Sequence, residues 1–100
     1  MLAAKKKQEK LESPEELTAN WFVYMLQCAD GSIYTGITNN IELRLAKHNS
    51  GKGAKYTRAR LPVKLKATWI HPNKSEASKA EHALKKLQRD QKLRLIAGQS

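Results

Sequence analysis

Cysteine is nearly absent: Cys28 is the only one in 100 residues, so no disulfide can close within the chain. No Cys/His cluster has the spacing of a zinc site. No apolar run approaches the roughly 18 residues of a membrane-spanning helix. The opening "MLAAKKKQEKLESPEEL" has lysines but no apolar stretch behind them, so no secretory signal is expected. These absences agree with a reducing, cytoplasmic setting and, at this length, a single domain with a modest core.

Acidic residues are missing from a long stretch. Nineteen Lys+Arg oppose nine Asp+Glu, giving a net charge of +10. Lys5, Lys6, Lys7 and Lys10 balance Glu9, Glu12, Glu15 and Glu16, so the whole excess lies in residues 21–100. Between Leu43 and Ser75 stand Arg44, Lys47, Lys52, Lys55, Arg58, Arg60, Lys64, Lys66 and Lys74, with no acid among them. Such a patch is the electrostatic footprint of a phosphate-backbone partner. The alternative is a solubilising surface, although such surfaces usually mix signs.

Residues 1–19 are polar and carry Pro14, and are expected to form a mobile tail. The rest, 20–98, is expected to be the folded domain. "WFVYMLQC" (21–28) reads as a strand, "ADGS" as a turn and "SIYTGIT" (32–38) as the return strand. Asn39 or Asn40 is placed to cap a helix from Ile41 to about Asn49. "SGKGAKYTRARLP" (50–62) reads as a glycine-rich basic loop, and "VKLKATWIH" (63–71) alternates like a half-buried strand. Ser75 is expected to cap a long helix with Ala77, Ala80, Leu84 and Leu87 on its apolar stripe. A break near Arg89–Asp90 and a last short helix to Ala97, ahead of Gly98, would follow. The predicted class is α+β: a three-stranded antiparallel sheet flanked by helices, in the order β-β-α-β-α(-α).

Several residues could carry chemistry. Arg44 and His48, at i and i+4, share the edge of the first helix's buried stripe. Arg44 there is either a snorkelling surface residue or a fork presented to phosphate. His48 is either a structural partner or a base. In residues 31–100 the acids are Glu42, Glu76, Glu81 and Asp90. Glu76 suits a helix dipole, Glu42 points away from the Arg44/His48 edge and Asp90 is near a helix break. Glu81 is therefore the best metal ligand by elimination, against a plain i,i+4 pair with Lys85. One carboxylate cannot hold two metals, so a single, largely hydrated Mg²⁺ is the expected ion. In the loop, Gly51 and Gly53 would let the backbone approach a ligand. Around Tyr56, the cations Lys52, Lys55, Arg58 and Arg60 suit phosphate contact with base stacking, or an ordinary exposed loop.

Taken together, these residues resemble the GIY-YIG nuclease superfamily over about residues 21–97. Two tyrosine triplets stand ten apart, Phe22-Val23-Tyr24 and Tyr34-Thr35-Gly36. Arg44, His48 and Glu81 follow in order. The likeness is closest to the small bacterial single-domain branch, whose "YTGIT…R…HNSGKGAKYT" run stands here between Tyr34 and Thr57. The resemblance implies a phosphodiesterase that cuts DNA, or another nucleic acid, with one divalent metal, Mg²⁺ or Mn²⁺, in DNA repair or processing. Glu81 would hold the metal and Arg44 would stabilise the phosphorane. Tyr34, or His48 acting through a water, would accept the proton from the attacking water, with Tyr24 positioning it. Gly36 would be the structural glycine, and Lys47 would join the basic loop in nucleic-acid binding. The chain departs from the pattern at Phe22 (Gly in the motif) and Thr35 (Ile in the motif). No Asn follows Glu81, and Leu93 stands where many relatives have one.

Three functions compete: a metal-dependent endonuclease, a non-catalytic basic nucleic-acid-binding module on the same fold, and an accessory protein that docks on another protein. A partner protein could supply specificity to the first. The nuclease reading demands one geometric feature. With a two-residue Asp30-Gly31 turn, Tyr24 and Tyr34 would face opposite sides of the sheet. A three-residue Ala29-Asp30-Gly31 loop with Gly31 left-handed pairs Leu26 with Tyr34 and Tyr24 with Gly36, placing both tyrosines on one face.

Overall fold

Alternating aromatic and β-branched side chains make Trp21–Gln27 (β1) and Ile33–Thr38 (β2) strands, and the turn between them sets the register. The computed structural model describes residues 20–99; the expected tail over residues 1–19 lies outside the described residues. The Gly31 amide donates to the Cys28 carbonyl at 2.9 Å, and the Cys28 amide donates to the Ser32 carbonyl at 2.9 Å. Gly31 is left-handed, with φ of 87°. The loop is thus the odd-length one. Leu26 pairs with Tyr34 and Tyr24 with Gly36, so the two tyrosines share a face.

Strand Lys64–His71 (β3) adds antiparallel on the other side of β1, giving the sheet order β2-β1-β3. A register shift between Met25 and Leu26 leaves Lys66 without a cross-strand partner. Helix Ile41–Asn49 (α1) starts at Asn40, whose side-chain oxygen accepts from the Leu43 amide at 3.1 Å. It ends in paired bonds from Gly51 N to His48 O and from Lys52 N to Lys47 O, with Gly51 at φ of 83°. That is a Schellman motif. The Asn49 carboxamide then bonds both backbone groups of Val63, at 2.8 and 3.1 Å, fixing the end of α1 to the approach to β3.

Three local expectations are corrected. The basic loop contains a single helical turn, Lys55–Arg58 (α2), in which the Thr57 hydroxyl donates to the Ala54 carbonyl at 2.9 Å. The second long helix, Lys74–Lys85 (α3), is capped by Asn73 and not by Ser75: the extended Asn73 accepts from the Glu76 amide at 2.9 Å. The last helix, Arg89–Gln99 (α4), begins where a break was expected and runs through Gly98. The chain breaks instead just before it, where the Gln91 side chain accepts from the Gln88 amide at 2.8 Å, and Asp90 falls in the first turn, where the dipole favours it. The class is α+β, with helices packed on a three-stranded antiparallel sheet.

The two faces of β1 bury different material. On one, Tyr24, Leu26 and Cys28 join Val63 in a cluster packed by Tyr34, Ile41, Leu45 and Leu61. On the other, Val23, Met25, Thr35 and Ala67 are buried, with Ala77 of α3 also fully covered. Trp69, paired with Val23, lines a groove with Ala80, Ala83 and Leu84 of α3, which places that helix on this second face.

Candidate active site

The site is built around one phenol. Tyr24, at 2 % exposure, leans over Gly36 on the neighbouring strand. A Cβ at Gly36 would come within 2.6 Å of the Tyr24 hydroxyl, so only glycine leaves this ring its place. Arg44 and His48, one turn apart on α1, reach the same hydroxyl. His48 Nε2 lies 2.9 Å from it and the Arg44 Nε donates to it at 3.4 Å.

The hydrogen bonds around His48 fix its tautomer. Thr57 spends its hydroxyl proton on the Ala54 carbonyl, so its oxygen accepts from His48 Nδ1–H at 2.8 Å. Nε2 is then the bare nitrogen, and the Tyr24 hydroxyl donates to it. The order is Tyr24, His48, Thr57, Ala54 carbonyl, and His48 and Thr57 are fully buried. Gly53 permits this closeness: a Cβ there would lie 2.5 Å from His48 Nδ1 and 2.8 Å from its Cα. The loop's two glycines serve the protein's own geometry, Gly51 by ending α1 and Gly53 by approaching His48.

Burial is the main cause that pushes the Tyr24 phenol above its ordinary range; the Arg44 hydrogen bond opposes it, while the nearby Tyr34 and Glu81 add to the rise. Burial, followed by the Arg44 charge, holds His48 below its ordinary value. Both groups are neutral at pH 7, with the proton on the phenol.

Tyr34 joins through ring contacts. Its centroid is 6.4 Å from that of Tyr24 and 5.3 Å from that of His48, and Tyr56 stacks on it at 6.2 Å with planes 24° apart. Of the basic residues, Lys47, Lys52, Lys55 and Arg58 are exposed. Arg60 lies with its guanidinium carbon 3.9 Å above the Tyr56 ring.

Glu81 stands on α3. Its carboxylate pairs with Lys85 at 3.3 Å, the arrangement expected of a surface helix. Yet its side chain is only 22 % exposed, and its charge reaches Tyr24. Among the described residues no three His, Cys, Asp or Glu side chains assemble into a metal-binding group. One half-buried carboxylate fits a hard cation that keeps most of its water, as Mg²⁺ does.

Thr57 was not singled out in the sequence. The only available signal was its place at the end of the "HNSGKGAKYT" run, nine residues after His48. Asp30 and Arg89 were missed too. Asp30 accepts from Ser32 and Arg60, and Arg89 donates twice to the Gly31 carbonyl, at 3.0 and 3.2 Å, so the tight turn is held from both sides.

Comparison with known proteins gives the same outline. A UPF0213 protein of Bacillus licheniformis is 57% identical over 79 residues, covering 79% of this chain and 81% of that protein. The solution NMR structure of a UPF0213 protein from Bacillus halodurans is 51% identical with a TM-score of 0.51, covering 78% of this chain and 83% of that one. That of a protein from E. faecalis is 47% identical with a TM-score of 0.55, covering 79% and 84%. No helix among the described residues is long and apolar enough to cross a membrane. Residues 20–94, which contain both tyrosines, Arg44, His48 and Glu81, match the GIY-YIG catalytic domain, and the chain belongs to that family.

Proposed function

We propose that this chain cleaves phosphodiester bonds in DNA with one divalent cation, Mg²⁺ or Mn²⁺, in DNA repair or processing. The observation that carries this reading is the single phenol shared by Arg44 and His48, within a stretch that matches a catalytic domain. Phosphoryl transfer needs positioning and charge neutralisation more than covalent help, and the residues divide along those lines.

His48 has no exposed surface and both ring nitrogens are engaged, so no water meets it directly. A proton reaches it only through Tyr24. In the proposed step, the attacking water gives its proton to the Tyr24 oxygen as the phenol's own proton passes to His48 Nε2. The imidazolium so formed keeps its Nδ1–H on Thr57. Tyr24 and His48 act as one base, which removes the need for a free phenolate at pH 7. Tyr34 walls the site beside them. Arg44 neutralises charge growing on the phosphate. Glu81 would hold the cation, which when bound polarises a phosphate oxygen and acidifies a coordinated water. Glu81 must first leave Lys85, an exchange that costs little because an i,i+4 helix pair is worth about 0.3–0.5 kcal/mol.

That pair also favours a second reading, a binding module whose carboxylate serves only its helix. The two separate cleanly. Single-stranded, double-stranded and branched DNA is incubated with Mg²⁺, Mn²⁺ or chelator. The nuclease reading expects metal-dependent cleavage that is lost in Glu81→Ala. Salt-sensitive binding with no cleavage in any metal would establish the binding module in its place. Cleavage that persists in Glu81→Ala would overturn the assignment of the metal ligand.

A further inference from the structure

Planar groups line up outward from the candidate active site. Tyr34 touches Tyr24 and His48, Tyr56 stacks on Tyr34, and the Arg60 guanidinium carbon lies 3.9 Å from the centre of the Tyr56 ring. The column ends in a cleft of about 630 Å³ lined by Lys55, Tyr56, Arg58, Ala59 and Arg60. Its last member is held as a plate. Arg60 Nε donates to Asp30 at 3.1 Å, and Nη1 donates to the Tyr56 carbonyl at 2.8 Å. Two bonds in the guanidinium plane fix that plane against the ring. Asp30 is itself held by the Ser32 hydroxyl at 2.6 Å and the Ser32 amide at 2.9 Å. The Arg60 backbone closes the ring of contacts, its carbonyl accepting from the Ala29 amide at 2.9 Å.

Tyr34 and Arg60 both lie against the Tyr56 ring, and Arg60 is the outer member of the column. The free plane is the outer face of Arg60, and a guanidinium plane stacks on nucleobases as an aromatic ring does. Lys55 and Arg58 at the same cleft supply cations for the flanking phosphates. A paired base inside a duplex has both faces covered by its neighbours. Only an unpaired or frayed base can offer one.

We propose that the outer face of the Arg60 guanidinium, locked between Tyr56 and Asp30, is a stacking platform for one unpaired nucleobase of the DNA strand whose phosphate lies at Tyr24. The inference rests on the nucleic-acid reading given above and adds a preference to it: strands with an unpaired base near the site over continuous duplex. An arginine serving only to staple the loop to the hairpin would confer no such preference.

The test is a binding titration in chelator, so that cleavage plays no part. A DNA duplex carrying 2-aminopurine at a single unpaired position is compared with the same duplex fully paired. The wild type is expected to bind the unpaired form about tenfold more tightly and to change the 2-aminopurine emission on binding. Arg60→Lys keeps the charge and can still reach Asp30, but loses the plane. It should bring the ratio close to one, while duplex affinity and its salt dependence change less than twofold. Asp30→Asn, which frees the guanidinium without removing it, should give an intermediate ratio. No preference in the wild type, an unchanged preference in Arg60→Lys, or an equal loss on both DNAs would overturn the proposal. A preserved binding preference together with no cleavage in Mg²⁺ would instead sink the nuclease reading and leave the platform standing.

Discussion

Strand β1 separates two interiors that obey different rules. On the Tyr24 face, beside the apolar cluster of Leu26, Cys28 and Val63, lie polar, ordered groups: a phenol, an imidazole and a threonine hydroxyl joined by bonds of 2.9 and 2.8 Å. On the Met25 face Val23, Met25, Ala67 and Ala77 are joined only by contact, with Thr35 buried among them. Polar groups out of water cost free energy unless every bond is made, whereas apolar contact tolerates imprecision. The polar face is therefore the one where small displacements matter, and its position is set by glycines 36 and 53, each pressed against a member of the relay. The second face supplies stability without specifying chemistry. If the division holds, changes on the first face should show in rate more than in stability, and changes on the second the reverse.

The largest effect is expected from Tyr24→Phe. It removes the group that would exchange the proton and leaves His48 Nε2 without its donor. DNA cleavage should fall about 10²–10⁴-fold, with a stability loss of about 1–3 kcal/mol from the orphaned nitrogen. Rates against DNA in Mg²⁺ and urea unfolding on the same preparation check both halves. Activity within tenfold of wild type would take Tyr24 out of the chemistry. Next is Met25→Ala on the opposite face. It empties a fully buried site and should cost about 2–5 kcal/mol. The surviving folded protein should cleave within about twofold of wild type well below its Tm. If the variant does not fold, Met25→Leu, a change expected to cost under about 1.5 kcal/mol, carries the same rate comparison.

Titration sharpens the contrast further. His48 is held below its ordinary value, first by burial and then by the Arg44 charge. The unfolded chain therefore binds the proton more readily than the folded one. The stability contributed by keeping His48 neutral is complete above its unfolded pKa of about 6.5, and is lost as pH falls through that value toward the folded one. The slope from this group cannot exceed about 1.4 kcal/mol per pH unit. Unfolding free energies measured between pH 8 and 5 should show that decline, and His48→Gln should flatten it. Met25→Ala should keep the wild-type slope. An equal slope in His48→Gln would place the titrating group elsewhere.

The sequence went furthest where the physics is local. Strand alternation, the Asp-Gly turn and a cap at Asn39 or Asn40 depend on neighbours in the chain, so the hairpin and α1 could be read directly, the register only as one of two. The parity argument on "ADG" reduced the question to two registers, and the left-handed Gly31 with its bond to Cys28 selects the one that puts both tyrosines on one face. The relay was less legible. Arg44 and His48 could be placed together by helical spacing, but the partner on the far side of His48 lies in a one-turn helix nine residues on, with no periodic signal. The cap of α3 was misread for a related reason. Ser75 and Asn73 are both good caps, and the choice went to the residue that the chain leaves extended after Pro72. Arg60 was expected beside Tyr56 and lies there, but its bonds to Asp30 and the Tyr56 carbonyl tie it to the hairpin turn, which no local pattern links to it.

The smallest expected effect concerns the residue where the two interiors meet in the motif itself. Thr35 sits between Tyr34 and Gly36, where the family pattern has isoleucine. It pairs with Met25 across the strand and so points into the apolar face. Its hydroxyl is buried and has no hydrogen-bond partner among the described residues. A polar atom has thus been placed on the side that lacks a network to receive it. An unsatisfied buried hydroxyl costs about 1–3 kcal/mol. Thr35→Val keeps the branched shape and removes the burden, so stability should rise by about 1 kcal/mol, equivalent to about 4–8 °C in Tm for a domain of this size. The cleavage rate should stay within about twofold, because the hydroxyl faces away from Tyr24. A fall in Tm would mean that the hydroxyl is bonded after all, and the Met25 face would then contain a polar contact of its own. A changed rate at unchanged stability would show that strand β2 transmits that face's packing to Gly36, and the separation across the sheet would be incomplete at this residue.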